Sequence, residues 1–411
     1  MTNSTDKLLN GAQAAKFLGV KPATLYAYVS RGLINSIPGQ RPRERAYRIE
    51  DLKKLRQSTR GFKTVKDSDE PTWTGPVIKS AITEIREDGH FYRGQNVIEL
   101  VRKNTSFKQV TEILWETSSS DKNWTDVNPL ELPDLFKLSV SKGQVQDNLE
   151  LLKLLLVLLE SKDPVRRHLL AKDIFDTARK LILTMPVAIG LKDGHSNIDT
   201  DGEYPIARSL LTALTGSNST EKTKLINSAL VLCADHELNA SALSARIAAS
   251  CDASLYSCLL SALSTFSGTL HGSASRRAED IVTSSLKFES VTTWLKDYLM
   301  KFESIPGFGT QLYEHGDPRA KLLIEMALST SSRNKNLKRL VEIVECVQEH
   351  LGLEPNLDVG LAAMSYALSL KPGSGTTIFA VSRAAGWIAH AKEQRRYGGK
   401  IRPRARYIGI V

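Results

Sequence analysis

Asn148-Leu149-Glu150-Leu151-Leu152-Lys153-Leu154-Leu155-Leu156-Val157-Leu158-Leu159 is a nearly unbroken apolar stretch with the length of a helix. A helix apolar on all sides is either buried among neighbours or embedded in a bilayer. Crossing a bilayer takes roughly 18 consecutive apolar residues, and no run in the chain reaches that. The stretch therefore predicts a helix inside a helical core. Working outward, residues 225–238, 241–263, 277–286, 321–327 and 335–350 carry helical periodicity. Only residues 89–97 suggest a short hairpin, and no internal repeat is evident. The fold class predicted for the body is all-α.

The chain has 411 residues, enough for two or more domains. Its apolar share of 41% and charged share of 24% are those of an ordinary soluble protein. The first residues lack the apolar segment of a signal peptide, so the expected setting is cytoplasmic, with no membrane association. Cys233, Cys251, Cys258 and Cys346 show no metal-site spacing and fall in apolar helical contexts, which predicts buried, reduced thiols and no metal.

Charge is unevenly placed. Residues 1–66 hold fourteen Lys and Arg against four acids, which is the whole net +10; the other 345 residues balance, 41 basic to 41 acidic. Such an excess suits an acidic partner such as nucleic acid for that segment alone. Residues 8–18 can form a helix ended by Gly19, a second can begin near Lys21-Pro22-Ala23-Thr24, and residues 46–49 read as a strand. Two short helices about a turn resemble the winged helix-turn-helix of the mercury-resistance-regulator and excisionase type. That resemblance implies Lys21, Thr24, Tyr26 and Tyr28 near a DNA major groove, with Arg41, Arg43 and Arg45 on phosphates. A solvated helical cap, or a protein-binding domain, is the alternative. Residues 58–75 are polar and broken by Pro and Gly, as in a linker.

Chemistry-bearing residues gather late in the chain. Pro355-Asn356-Leu357-Asp358 comes before Ile378-Phe379-Ala380-Val381-Ser382-Arg383-Ala384-Ala385-Gly386-Trp387-Ile388-Ala389-His390 and Arg402-Pro403-Arg404. One carboxylate followed by spaced arginines suits a base acting on a substrate whose anionic groups are held by guanidinium forks. Upstream stand Gly89-His90-Phe91-Tyr92-Arg93-Gly94, Asp235-His236-Glu237-Leu238-Asn239-Ala240-Ser241, His271-Gly272-Ser273-Ala274-Ser275, Gly307-Phe308-Gly309-Thr310 and Asp317-Pro318-Arg319. In this order and spacing the set resembles the citrate synthase family over roughly residues 76–411.

The resemblance implies a large helical domain over 76–268 and 377–411 that encloses a smaller one over 269–376, preceded by the 1–57 domain. It implies a homodimer in which Arg402 reaches the neighbouring subunit's site. It further implies condensation of acetyl-CoA, or another short acyl-CoA such as propionyl-CoA, with oxaloacetate or a related 2-keto acid. No bound cofactor is implied beyond the coenzyme A thioester itself. Asp358 matches the catalytic base, with helix capping as its alternative role. His271 matches the histidine that stabilises the enol, although Ser273 and Ser275 replace a Gly and an Asn. His236, read as part of a helix, matches the histidine that binds the keto acid. Arg319, Arg383 and Arg402 match the carboxylate-binding arginines, and Gly307, Phe308 and Gly309 a loop along coenzyme A.

Thr310 departs from the family, which has His there to donate to the reacting ketone. A hydroxyl is shorter and uncharged, and loss of such a donor typically costs about 10²–10³ in rate. His315 is a candidate substitute. An enzyme is the favoured expectation, with a DNA-binding regulator whose body senses a keto acid or coenzyme A thioester as the competing one. A third expectation makes the N-terminal domain an assembly module.

Overall fold

The computed structural model describes residues 8–18, 25, 28–29, 34–38, 45–49, 51–52, 78–86, 89–117, 124, 127–164, 173–195, 203–310, 312–313, 316–403, 405, 407 and 409. The chain divides into two compact units, one of residues 1–74 with 299–305, the other of residues 75–298 with 306–411.

In the first unit β1 (Leu8–Asn10) leads directly into α1 (Gly11–Leu18). Residues 8–10 were expected inside that helix. Asn10 and Gln13 instead bond each other's backbone N–H reciprocally, at 2.9 and 3.0 Å, and this capping box starts the helix at Gly11. Strand β1 pairs antiparallel with β3 (Arg45–Arg48), which also pairs with β2 (Ile37–Pro38). Ala14, Ala15, Leu18, Leu25, Ile34, Tyr47 and Leu52 form a small core of the unit's own. Tyr28 is half-buried against that core, which engages the ring expected at a DNA groove. Arg45 is exposed on β3. Lys21, Thr24, Tyr26, Arg41, Arg43, His315 and residues 58–75 lie outside the described residues.

The second unit opens with a three-stranded antiparallel sheet, β4 (Thr83–Arg86), β5 (Gly89–Tyr92) and β6 (Gln95–Asn96). Arg93 and Gly94, both at positive φ, join β5 to β6, the hairpin that the sequence suggested; β4 was not foreseen.

Helices follow: α2 (Val97–Arg102), α3 (Phe107–Trp115), α4 (Asp134–Ser141), α5 (Asn148–Lys162), α6 (Asp173–Lys192), α7 (Pro205–Thr215), α8 (Thr220–Cys233), α9 (Ala240–Ser250), α10 (Leu255–Phe266), α11 (Ala274–Ser285), α12 (Val291–Lys301), α13 (Pro318–Thr330), α14 (Lys335–Leu351), α15 (Leu357–Ala367) and α16 (Ser374–Tyr397). The apolar stretch is α5, as expected. The body is helical, and none of its described helices is long and apolar enough to cross a membrane.

Helix α16 is the axis of the unit. It is buried from Ser374 to Ala391 and packs on α3, α8, α9 and α10, so its apolar positions show no single face. Gly386 makes its closest approach possible. Its N–H donates to Ala234 O at 3.1 Å, and a Cβ there would stand 2.4 Å from Asp235 Oδ1 and 2.5 Å from Ala234 O. Helix α13 packs on α15, and α11 on both α14 and α15.

Two further expectations are corrected. The helix expected over 225–238 ends at Cys233, and the one over 241–263 breaks after Ser250, where Asp252 turns through φ 59°. Cys251 sits in that break and is exposed, whereas the other three thiols are buried; all four are free.

Candidate active site

The loop between α8 and α9 positions the first cluster. Tyr92 of β5 donates its hydroxyl to Val231 O at 3.0 Å and accepts from Asp235 N at 3.1 Å, pinning the end of α8 to the sheet. Beyond it Glu237 adopts φ 55°, and Asn239 caps α9 by accepting from Ser241 N and Ala242 N, each at 3.1 Å. His236 is thus a loop residue, not a helical one. Its Nε2 lies 2.8 Å from the Tyr313 hydroxyl, and its ring meets that of His90 edge-to-face at 5.1 Å. Burial holds the His236 imidazole well below its ordinary pKa, with Arg319, His90 and Arg383 pushing the same way. A neutral ring results.

Beneath His236 lies a buried ionic network. Arg246 Nε donates to His390 Nδ1 at 2.9 Å, so the imidazole proton sits on Nε2, 3.3 Å from Asp235 Oδ1. Thr83 donates to Asp235 Oδ2 at 2.5 Å, and Arg383 stands 4.0 Å from Oδ1. Burial alone would raise the Asp235 pKa; His390, Arg383 and Thr83 together hold it below the usual value. Arg246 also pairs with Glu393, which accepts from Ala81 N at 2.8 Å. Removing any one member would leave a buried charge uncompensated.

Two guanidinium groups are almost wholly buried here. Arg319 is 3% exposed and Arg383 2%. Asp317 caps α13 and takes two bonds from Arg319, Nε at 2.9 Å and Nη2 at 2.7 Å, which leaves Nη1 without a partner among the described residues. Arg383 lies over the Phe379 ring; its Nη1 is the atom 4.0 Å from Asp235 Oδ1, and neither Nε nor Nη1 has a hydrogen-bond partner among the described residues. Buried N–H donors in native proteins are normally satisfied. A fork with open donors matches the geometry of a carboxylate.

His271 sits in the turn between α10 and α11. Gly272 is required there, because a Cβ would fall 2.2 Å from the Phe266 ring. Ser273 adopts φ −70°, so a serine sits there without backbone strain. Ser275 bonds Gly272 O and Thr376 Oγ1, at 2.8 and 3.0 Å. His271 Nε2 lies 2.8 Å from Ser241 Oγ, which also accepts from Trp387 Nε1 at 3.1 Å. Burial, aided by Arg383, lowers the His271 pKa to about 4, so this ring too is neutral.

Asp358 enters on the first turn of α15. The cap of that helix is Asn356, whose Oδ1 accepts from Asp358 N at 3.0 Å, so the capping role considered for Asp358 is already filled. Burial, reinforced by the Asp317 carboxylate and only partly offset by Arg319 and Arg277, raises its pKa to about 7. The loop at 307–309 is laced to the approach to Asp358. Gly309 N donates to Glu354 O and Asn356 N to Gly307 O, both at 2.8 Å. Gly307 turns at φ 84°, where a Cβ would strike Val359. Thr310 is half-buried, and its Oγ accepts from Leu312 N at 3.2 Å, which leaves the hydroxyl proton available.

Of the sequence-predicted residues, the body thus links His236, Arg319 and Arg383 into one electrostatic cluster, ties His271 to it through Arg383, and ties Asp358 through Arg319. Arg402 is exposed in the coil after α16 and is not brought to this cluster. Sequence reasoning missed Asp235, Ser241, Tyr313, Asp317 and His390. Each stands within or beside a quoted motif, yet only the fold shows its partner. Among the described residues no group of side chains could hold a metal ion.

Comparison with known proteins shows the family. The family described as citrate synthase, C-terminal domain, matches residues 72–404. Citrate synthase 2 of Bacillus subtilis is 30% identical over 348 residues, 80% of this chain and 93% of that protein. The citrate synthase of Haloferax volcanii is 32% identical, over 77% of this chain and 89% of its own, and 2-methylcitrate synthase 1 of Corynebacterium glutamicum is 27% identical over 78% and 89%. In fold, the chain is similar to the Thermoplasma acidophilum citrate synthase solved with carboxymethyl coenzyme A and oxaloacetate. That likeness has a TM-score of 0.72 at 22% identity and covers 82% of this chain and 95% of that one.

Proposed function

The chain belongs to the citrate synthase family of transferases, and on that premise we propose that it condenses acetyl-CoA, or a related short acyl-CoA, with oxaloacetate or a close 2-keto acid. Members of this family use a coenzyme A thioester as co-substrate and carry no permanent cofactor.

The reaction starts at Asp358, whose carboxylate removes a proton from the carbon next to the thioester carbonyl. His271, neutral and anchored on Ser241, donates from Nδ1 to the enol oxygen while its Nε2 accepts a hydrogen bond from the Ser241 hydroxyl. The enol carbon attacks the keto carbon of oxaloacetate and forms the new C–C bond. His236 and the Thr310 hydroxyl stabilise the alkoxide that develops, which becomes the product hydroxyl by taking up a proton equivalent to the one Asp358 removed. Arg319 and Arg383 hold the keto-acid carboxylates through their open donors. Water then cleaves the thioester and releases the tricarboxylate and the coenzyme A thiol. Gly307, Phe308 and Gly309 flank the thioester, Arg402 completes the site of a second subunit, and closure of the segment over 269–376 excludes water.

One observation carries this reading. Asp358 is a half-buried carboxyl on the first turn of α15, its pKa raised to about 7, within electrostatic reach of the buried Arg319, which has an open donor. Thiol release from acetyl-CoA and propionyl-CoA with oxaloacetate tests it. Turnover that disappears in Asp358→Ala is expected, and an unchanged rate in that variant would sink the proposal.

For the first unit, DNA binding is supported by the net +10 of its residues 1–66 and by a core of its own, beside which Arg45 is exposed on β3. Binding to its own promoter region should weaken steeply as salt rises. No binding at low salt would leave assembly as that unit's role.

A further inference from the structure

Strand β5 presents His90 and Tyr92 on one face, two residues apart. Tyr92 is accounted for by its bonds to Val231 and Asp235. His90 has no such explanation. Its ring is fully buried, 4.8 Å from the Tyr92 ring and 5.1 Å from that of His236 at an interplanar angle of 85°. Neither Nδ1 nor Nε2 has a hydrogen-bond partner among the described residues. At a buried strand position an aliphatic side chain would fill the space without stranding two polar atoms. Local choices that work against stability tend to mark functional positions.

The surroundings of His90 are those of the keto-acid site. Arg319, Asp235 and Arg383 all act on it electrostatically, and the two arginines are the ones with open donors. His236 is held from two directions, with Tyr313 on its Nε2 and the His90 ring set edge-to-face against it. That arrangement fixes the imidazole plane and leaves His236 Nδ1 as the nitrogen for a ligand. Thr310 meanwhile offers only a short neutral hydroxyl.

Resting on the reading of this site as a keto-acid site, we propose that His90 is a positioning residue for the keto acid. By orienting His236 it offsets, from strand β5, the imidazole missing at position 310. His90 acts through its neighbour, so its removal loosens keto-acid binding and leaves acyl-thioester binding alone.

The test is a double-mutant cycle on the full chain with His90→Leu and Thr310→His. It reads KM for oxaloacetate, KM for acetyl-CoA and thermal stability, with the oxaloacetate Kd from calorimetry beside them. In the native background H90L should raise the oxaloacetate KM and Kd about tenfold, a share of what one oriented donor contributes. The acetyl-CoA KM should stay within about twofold, and the melting temperature should hold or rise as two stranded nitrogens disappear. In the T310H background the same change should move the oxaloacetate values less than about threefold. If H90L does not fold, His90→Gln, which lacks the ring edge, gives the same comparison. Oxaloacetate values unaffected by H90L, or shifted equally in both backgrounds, overturn the proposal while the keto-acid reading stands. A native chain that neither binds nor consumes oxaloacetate overturns both.

Discussion

Ser241 Oγ stands 2.8 Å from His271 Nε2, and the same oxygen accepts from Trp387 Nε1 at 3.1 Å. One hydroxyl on the first turn of α9 therefore joins a turn between two other helices to the buried axis of the body. It has a single proton to give, either to Asn239 Oδ1 at 2.7 Å or to His271. Only the second choice places a donor on His271 Nδ1. Ser241→Ala should lower kcat about 10–100-fold, by analogy with loss of one preorganised donor, and change the oxaloacetate KM little. The stranded Trp387 N–H should cost about 1–2 kcal/mol in stability. Steady-state kinetics beside a denaturant titration would separate the two effects.

The carboxyl of Asp358 titrates near 7. A base must be ionised to work, so kcat/KM should climb as pH rises through about 7 and level off above it. Asp358→Glu should keep a titrating limb while losing rate through misplacement, and Asp358→Asn should lose both. A pH–rate profile that is flat between pH 5 and 9 in the native chain would remove Asp358 from the chemistry.

The same shift has a consequence for stability. An aspartate free in the unfolded chain has a pKa near 3.8, and folding raises it to about 7. The folded state thus holds the proton more tightly. Its advantage is fully present below about pH 4 and is lost as pH rises to about 7, because the ionised carboxylate is poorly solvated where it sits. Asp358→Asn should therefore be about as stable as the native chain at pH 4 and more stable at pH 8. A gain of about 1 kcal/mol, or about 1–3 °C in Tm, is a moderate share of what the shift implies once partial solvent access is allowed for. Thermal scans at the two pH values check the sign, and a larger gain at the acidic one would contradict it.

What the sequence disclosed and what it hid follow from the range of the interactions. Helix periodicity and end signals are local, so α5, α11, α13 and α14 fall where expected, with Asp317-Pro318 opening α13 and Gly352 closing α14. Helix α8 ran shorter than its pattern because Tyr92, more than a hundred residues earlier, holds its last turn and frees His236 into a loop. No local signal carries that bond. Residues of the site that bear charge stood out as motifs. Those that tune them did not, since Asp235, His390 and Arg246 have meaning only as a chain of contacts across 155 residues. The Gly-to-Ser change at 273 costs no strain, because φ there lies in the ordinary helical region, which the sequence alone does not show.

Gly386 is where that chain of contacts depends on the absence of a side chain. An added Cβ would meet Asp235 Oδ1 at 2.4 Å and Ala234 O at 2.5 Å, one a buried carboxylate and the other backbone, neither free to yield. Alanine is otherwise favoured over glycine inside a helix by about 0.5–1 kcal/mol, so a neutral or stabilising result is the default at most helical glycines. Here overpacking should dominate, and Gly386→Ala should destabilise by about 1–3 kcal/mol. Relief by moving α16 away from α8 would also pull Arg383 from Asp235, so the oxaloacetate KM should rise severalfold. A melting curve and a substrate titration on one preparation suffice. A variant as stable and as tight as the native chain would mean that the two helices are not held at the spacing found here.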